Sequence, residues 1–260
     1  MLKHAVKAML DRTPYTVLPR ERLDYKARQW EHLVGQIHSL VRDRILTDLP
    51  DTPGQADLLG KLIGTDSVSG LFLVDAVHKA LRVSGAICEF GVAEGATSAL
   101  MANELLHHAP ERTLWLYDSF EGLPKPSSHD VLLDDFLHLG SLESYQGQFA
   151  IPRTEVERRL HAIAWPTEQT RIVAGFFTPR SELPEQVAFA YVDFDFYEPI
   201  RDALQAVASR SRVGTIILVD DYGFFSVGAQ QATDEFSASE AWELTRPPNY
   251  LAFATLERVS

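Results

Sequence analysis

From residue 85 onward the apolar residues of this chain change their period. Short apolar runs, "GAICEFGV", "TLWLYD", "RIVAGFF", "VAFAYVDFD" and "GTIILVDDYG", alternate with segments of helical spacing such as "TSALMANELLHH", "EVERRLHAIA" and "EPIRDALQAVASR". Strands separated by helices pair in parallel, because each crossover helix carries the chain back to the same edge. The tail "WELTRPPNYLAFATLERV" adds two further strands around the Pro247–Pro248 turn. The pattern predicts an α/β fold, a doubly wound and mostly parallel sheet closed by a hairpin. In such sheets ligands bind beyond the carboxyl ends of the strands.

Upstream, residues 24–46 carry Trp30, Leu33, Ile37, Leu40, Val41 and Ile45 at helical spacing, and "GLFLVDAVHKALR" repeats the pattern after the breaker-rich "TDLPDTPGQ". Residues 1–84 therefore read as an N-terminal helical cap or dimerisation arm, and 85–260 as the α/β domain. Within that domain, residues 119–153 hold Gly122, Pro124, Pro126, Gly140, Gly147 and Pro152. An irregular stretch of this length inside a compact domain is usually a functional lid.

What stands at the strand ends points to chemistry. The first strand ends in "CEFGVAEGATS", where Glu89, Gly91 and Gly95 precede a helix. Glycine permits a tight turn and close approach of a ligand to backbone. The second strand ends in Asp118, placed as an acid that accepts hydrogen bonds from a ribose diol. A dinucleotide fingerprint would have a glycine where Val92 and Ala93 stand, and no basic residue lies in the loop. A cofactor with ribose and no phosphate fits better, namely S-adenosylmethionine.

Asp193 and Asp195 alternate at the end of "YVDFDFY", so a continuing strand would turn both to one face. "VDDYG" adds Asp220 and Asp221. Carboxylates gathered at one edge repel unless a hard cation joins them, and an all-oxygen set suits Mg²⁺ or Mn²⁺. Asp195, just before a helix, is also a candidate N-cap. The net charge of −12 argues against a nucleic-acid or anionic-membrane surface. The single cysteine, Cys88, excludes an internal disulfide. With no signal-peptide pattern and no 18-residue apolar run, the expected location is the cytoplasm.

The segments "CEFGVAEGATS", "LYDSFEGLP", "AGFFTPRSELP", "VDFDFYEP" and "ILVDDYGFFSVGAQQATDEF" together resemble the macrocin O-methyltransferase (TylF-type) family. The resemblance covers about residues 65–240. It implies a class I methyltransferase, Rossmann-like fold with a seven-stranded sheet, and SAM- and Mg²⁺-dependent methylation of a hydroxyl on a small natural product, often a sugar. It further implies cofactor contacts from Glu89, Phe90 and Gly91; from Asp118, Ser119, Phe120, Glu121 and Gly122; from Gly175 and Phe176; from Asp193; and, by a looser match, from Ser67 and Val68. Asp193, Asp220 and Asp221 correspond to the metal ligands and Asp195 to the general base. The expected partners are a small-molecule acceptor and further copies of the chain. The chain departs from the family in "GVAEGAT", which lacks a basic residue, and in "TPRSELP". The main competing reading is a metal-dependent glycosyltransferase using a D-x-D motif, which would need basic residues near a diphosphate. An NAD-linked oxidoreductase and a non-catalytic ligand-binding module are the others.

Overall fold

The computed structural model describes residues 20–238, 241–247 and 252–260, with side chains from residue 32 onward. The chain divides into two compact units, Met1–Asp48 and Leu49–Ser260. The described part of the first unit is one long helix, α1 (Arg20–Arg44), followed by a turn, and Leu33, Ile37 and Leu40 on the helix are exposed. The Trp30 side chain lies outside the described set.

The second unit has a short helix, α2 (Gln55–Leu59), directly after the breaker-rich loop, then α3 (Ser67–Ala80), whose N-cap Asp66 accepts from the Val68 and Ser69 amides. Expectation and structure differ here. The residue pattern places a boundary at 84, yet α3 packs against the sheet and the following helix, because its apolar side, Leu71, Leu73, Val74 and Val77, is fully buried. The division falls between Asp48 and Leu49 instead.

The sheet comprises β1 (Ala86–Phe90), β2 (Leu114–Asp118), β3 (Thr170–Ala174), β4 (Val187–Val192), β5 (Ile216–Val219), β6 (Trp242–Thr245) and β7 (Ala254–Arg258). Its order is β3-β2-β1-β4-β5-β7-β6. The first five strands are parallel, and β7 joins β5 and β6 antiparallel. Every residue of β1 and β4 is buried, as a central parallel strand covered on both faces requires. The crossovers are α4 (Ala96–His108), α5 (Arg153–Ala162) and α6 (Tyr197–Ser209), and α7 (Val227–Ser237) follows β5. The turn between β6 and β7 lies partly outside the described residues, Pro248 included. No helix among the described residues is long and apolar enough to cross a membrane.

Candidate active site

The carboxyl ends of β1, β2, β4 and β5 open on one cavity of about 590 Å³. At the β1 end the chain turns through Gly91, Val92, Ala93 and Gly95, three of them with positive φ (91°, 46° and 79° at Gly91, Ala93 and Gly95). Gly91 cannot carry a side chain, since a Cβ there would collide with the Asp193 carbonyl oxygen. Asp118 holds this turn from below. Its Oδ2 accepts from the Val92 and Ala93 amides at 2.7 and 3.0 Å, and its Oδ1 from the Phe120 amide at 2.7 Å. Glu89 is fully buried and accepts from the Thr97 and Ser98 hydroxyls at the start of α4. Burial pushes its carboxyl up to about 8 despite those two bonds.

The acids gather beside the glycine turn. Strand β4 ends at Val192, short of the expected Asp195. The Asp193 amide still donates to Phe90 at 2.7 Å, but Asp195 has φ 62° and swings the chain into α6. The two acids therefore sit on a turn, not on one strand face. They nevertheless converge, because β5 lies beside β4 and Asp221, at φ 55°, makes the matching turn. Left-handed Asp backbones are tolerated at a cost that active sites commonly carry. Carboxylate oxygens of Asp193, Asp195 and Asp221 lie within 4.8 Å of one another. Asp220 accepts from the Tyr191 hydroxyl through Oδ2 and from the Asp221 amide through Oδ1 at 3.0 Å.

Burial and then the neighbouring acids drive the carboxyls of Asp193 and Asp221 well above the ordinary range. Burial likewise raises Asp220. Asp195 is raised to about 7 by burial, moderated by a hydrogen bond shared with Asp221. Among the described residues Lys125 is the one lysine or arginine lining the cavity. A recessed donor set made only of carboxylate oxygens, with no side-chain cation paired to it, can hold a hard divalent ion.

The segment 119–153 is folded over this edge. Asp130 ties it down: Oδ1 accepts from the Tyr197 amide at 2.8 Å and the Ser226 hydroxyl at 3.2 Å, while Oδ2 accepts from Ser127. Leu132 and Ser226 form a β-bridge. Beneath them Leu123, Leu142, Tyr145, Phe196 and Phe225 make a small separate core. Over it Phe136 stacks at 6.3 Å from both Phe149 and Phe224, and all three line the cavity with faces partly exposed.

Of the residues singled out from the sequence, Gly91, Asp118, Ser119, Gly122, Phe176, Asp193, Asp195, Asp220 and Asp221 line the cavity. Ser67, Val68, Glu89, Phe90, Phe120, Glu121 and Gly175 stand outside its lining. Thr65, Asp130, Phe136 and Phe149 line it without having been marked by any motif. Only the acid and aromatic content of an irregular segment could have flagged the last three.

A family model described as Macrocin-O-methyltransferase (TylF) matches residues 21–248. The chain is 27% identical over 186 residues to the 8-demethyl-8-(2,3-dimethoxy-alpha-L-rhamnosyl)-tetracenomycin-C 4'-O-methyltransferase of Streptomyces olivaceus, covering 65% of this chain and 69% of that protein. It is 30% identical over 162 residues to the demethyldecarbamoylnovobiocin O-methyltransferase of Streptomyces niveus, covering 60% of each. Among solved structures, that of the O-methyltransferase NovP superposes with a TM-score of 0.63 at 25% identity, over 75% of this chain and 81% of NovP.

Proposed function

The chain belongs to the TylF family of macrocin O-methyltransferases and is an S-adenosylmethionine-dependent O-methyltransferase; from that premise we propose that it methylates a sugar hydroxyl of an uncharged, glycosylated natural product. One observation carries this reading: the glycine turn and the carboxylate cluster stand side by side in the lining of a single cavity that also has an aromatic wall. The methyl donor would lie along Gly91 and Asp118, and the acceptor between the acids and Phe136, Phe149 and Phe224. Sequence relatives named for sugar-bearing acceptors support the class. Among the described residues Lys125 is the one lysine or arginine in the lining, so beyond the cation a diphosphate would find a single basic partner among many acids, which favours an uncharged acceptor over a nucleotide sugar and over the glycosyltransferase alternative.

When bound, S-adenosylmethionine supplies an electrophilic methyl group, and a divalent cation supplies Lewis acidity toward the acceptor hydroxyl. Asp193, Asp220 and Asp221 would hold the cation, with Tyr191 orienting Asp220 through its hydroxyl. Asp195, bonded to Asp221 and facing the cavity, takes the acceptor's proton. The backbone of the glycine turn, braced by Asp118, positions the donor. The aromatic wall seats the aglycone and keeps water from the reacting oxygen.

Mass spectrometry of a panel of desmethyl glycosides, incubated with SAM and Mg²⁺, should show gain of one methyl group, lost in Asp221→Asn. Asp195→Asn should bind Mg²⁺ and S-adenosylhomocysteine normally while kcat falls about 10²–10⁴-fold. If Asp195→Asn loses Mg²⁺ binding and Asp220→Asn keeps it, the roles of these two acids are exchanged. Failure of the wild type to bind S-adenosylhomocysteine would overturn the reading.

A further inference from the structure

The cavity takes part of its lining from Ile63, Gly64 and Thr65, just before α3, and from Ala96 and Thr97 at the start of α4; a second cluster of metal-type ligands stands at the C-terminal ends of these two helices. His78 is in the last turn of α3, and Glu104 and His108 are one turn apart on α4. At about 1.5 Å per residue, His108 lies some 16 Å along α4 from Thr97 at the cavity. The Nε2 of His78 is 2.9 Å from Glu104 Oε2. The Thr52 hydroxyl donates to the same oxygen at 2.6 Å and lies 2.9 Å from His108 Nε2. One ligand atom each from His78, Glu104 and His108 fall within 4.8 Å of one another. The imidazoles meet edge to face, with centroids 4.7 Å apart.

We infer that His78, Glu104 and His108 form a transition-metal site, best suited to Zn²⁺, separate from the carboxylate cluster of the cavity. Two imidazole nitrogens and one carboxylate oxygen are a borderline-soft set that selects zinc over magnesium. The fourth position falls to water or to the Thr52 oxygen. Glu104 is fully buried, and its other oxygen is fixed by Gln55 Nε2 at 2.8 Å, the kind of outer support that ligating carboxylates have. Burial works to raise the Glu104 carboxyl, but bonds from His78, Thr52 and Gln55 outweigh it and hold the group below its ordinary value. His108 is lowered by burial and by His78, which favours the neutral, ligating form. His108 is exposed, so an ion has a way in. With Nε2 ligating, each ring carries its proton on Nδ1, and the Gln55 bond to the other Glu104 oxygen is undisturbed. The ion would clamp α3 to α4, the helix that leads out of the glycine turn.

Co²⁺ is the probe, because a low-coordinate site with nitrogen ligands absorbs visible light strongly and an octahedral oxygen site only faintly. The full chain, freed of metal by chelation, is titrated with Co²⁺ in saturating Mg²⁺. A strong visible band is expected in the wild type and in Asp221→Asn. In His108→Ala, where the lost side chain is exposed, affinity should fall at least about 10- to 100-fold. Zn²⁺ at a hundredfold excess over its Kd should raise Tm by about 5–10 °C in the wild type and not in His108→Ala. If His108→Ala does not fold, His78→Gln gives the same comparison. A faint band in the wild type, a band undiminished in His108→Ala, or one lost in Asp221→Asn would overturn the site.

Discussion

At the scale of single residues, the acids in and beside the cavity set how stability depends on pH. Unfolded aspartates ionise near pH 3.9. In the folded protein burial and mutual repulsion hold Asp193 and Asp221 well above that, Asp195 at about 7 and Glu89 at about 8. Through that window the folded state binds more protons than the unfolded one, so these groups stabilise at low pH and lose their contribution as pH climbs from about 4 to about 8. Each group costs about 1.4 kcal/mol per pH unit while the two states differ by a full proton. A cation reverses the sign by favouring the ionised ligands. Metal-free protein should therefore melt higher at about pH 5.5 than at about pH 8, and Mg²⁺ should raise Tm more at the higher pH. Equal Mg²⁺ increments at both would speak against ligation by these carboxylates. The acids themselves were legible in the sequence because they stand at matching strand ends. Their exact arrangement was not, since strict alternation puts Asp195 on a strand and its left-handed backbone takes it off one.

At the scale of elements, the strand and helix periods of residues 85–260 predicted every strand of the sheet, and breaker content marked 119–153 as irregular. What no local pattern conveyed is how that segment is held. Its anchors are distant in sequence: Asp130 reaches Tyr197, 67 positions on, and Ser226, 96 positions on. The anchor also fixes a residue of α7. A Cβ on Gly228 would collide with Asp130 Oδ1, and it would come 2.9 Å from the Tyr197 amide nitrogen. Gly228→Ala should cost about 1–3 kcal/mol of stability, as overpacking does, and should release the aromatic wall. Acceptor KM is expected to rise several-fold while S-adenosylhomocysteine affinity, measured by calorimetry, stays unchanged. An unaltered KM would show that the wall is held some other way.

At the scale of the whole molecule, the fold class was readable because parallel strands buried on both faces have a signature that survives without knowledge of their order. The limit between the two units was less legible, since α3 is helical like the segment before it and only its packing on the sheet assigns it to the second. The sheet order places β1 directly beside β4, so that the backbone of Gly91 rests against the carbonyl of Asp193 with no room for a methyl group between them. That contact ties the glycine turn to the acid turn, so that a shift in one is felt by the other. If the acid turn holds Mg²⁺ and the glycine turn the cofactor, as proposed, the free energy one ligand uses in settling its turn would be partly saved by the other. Thermodynamic reciprocity makes the two effects equal: the factor by which Mg²⁺ tightens S-adenosylhomocysteine must match the factor by which S-adenosylhomocysteine tightens Mg²⁺, a coupling of about 1–3 kcal/mol in typical cases. Calorimetric titrations in both orders would measure it, and a factor of one would mean the two loops move independently. Heterotropic cooperativity of this kind would fill the site in pairs, so that donor and cation are both in place before an acceptor arrives.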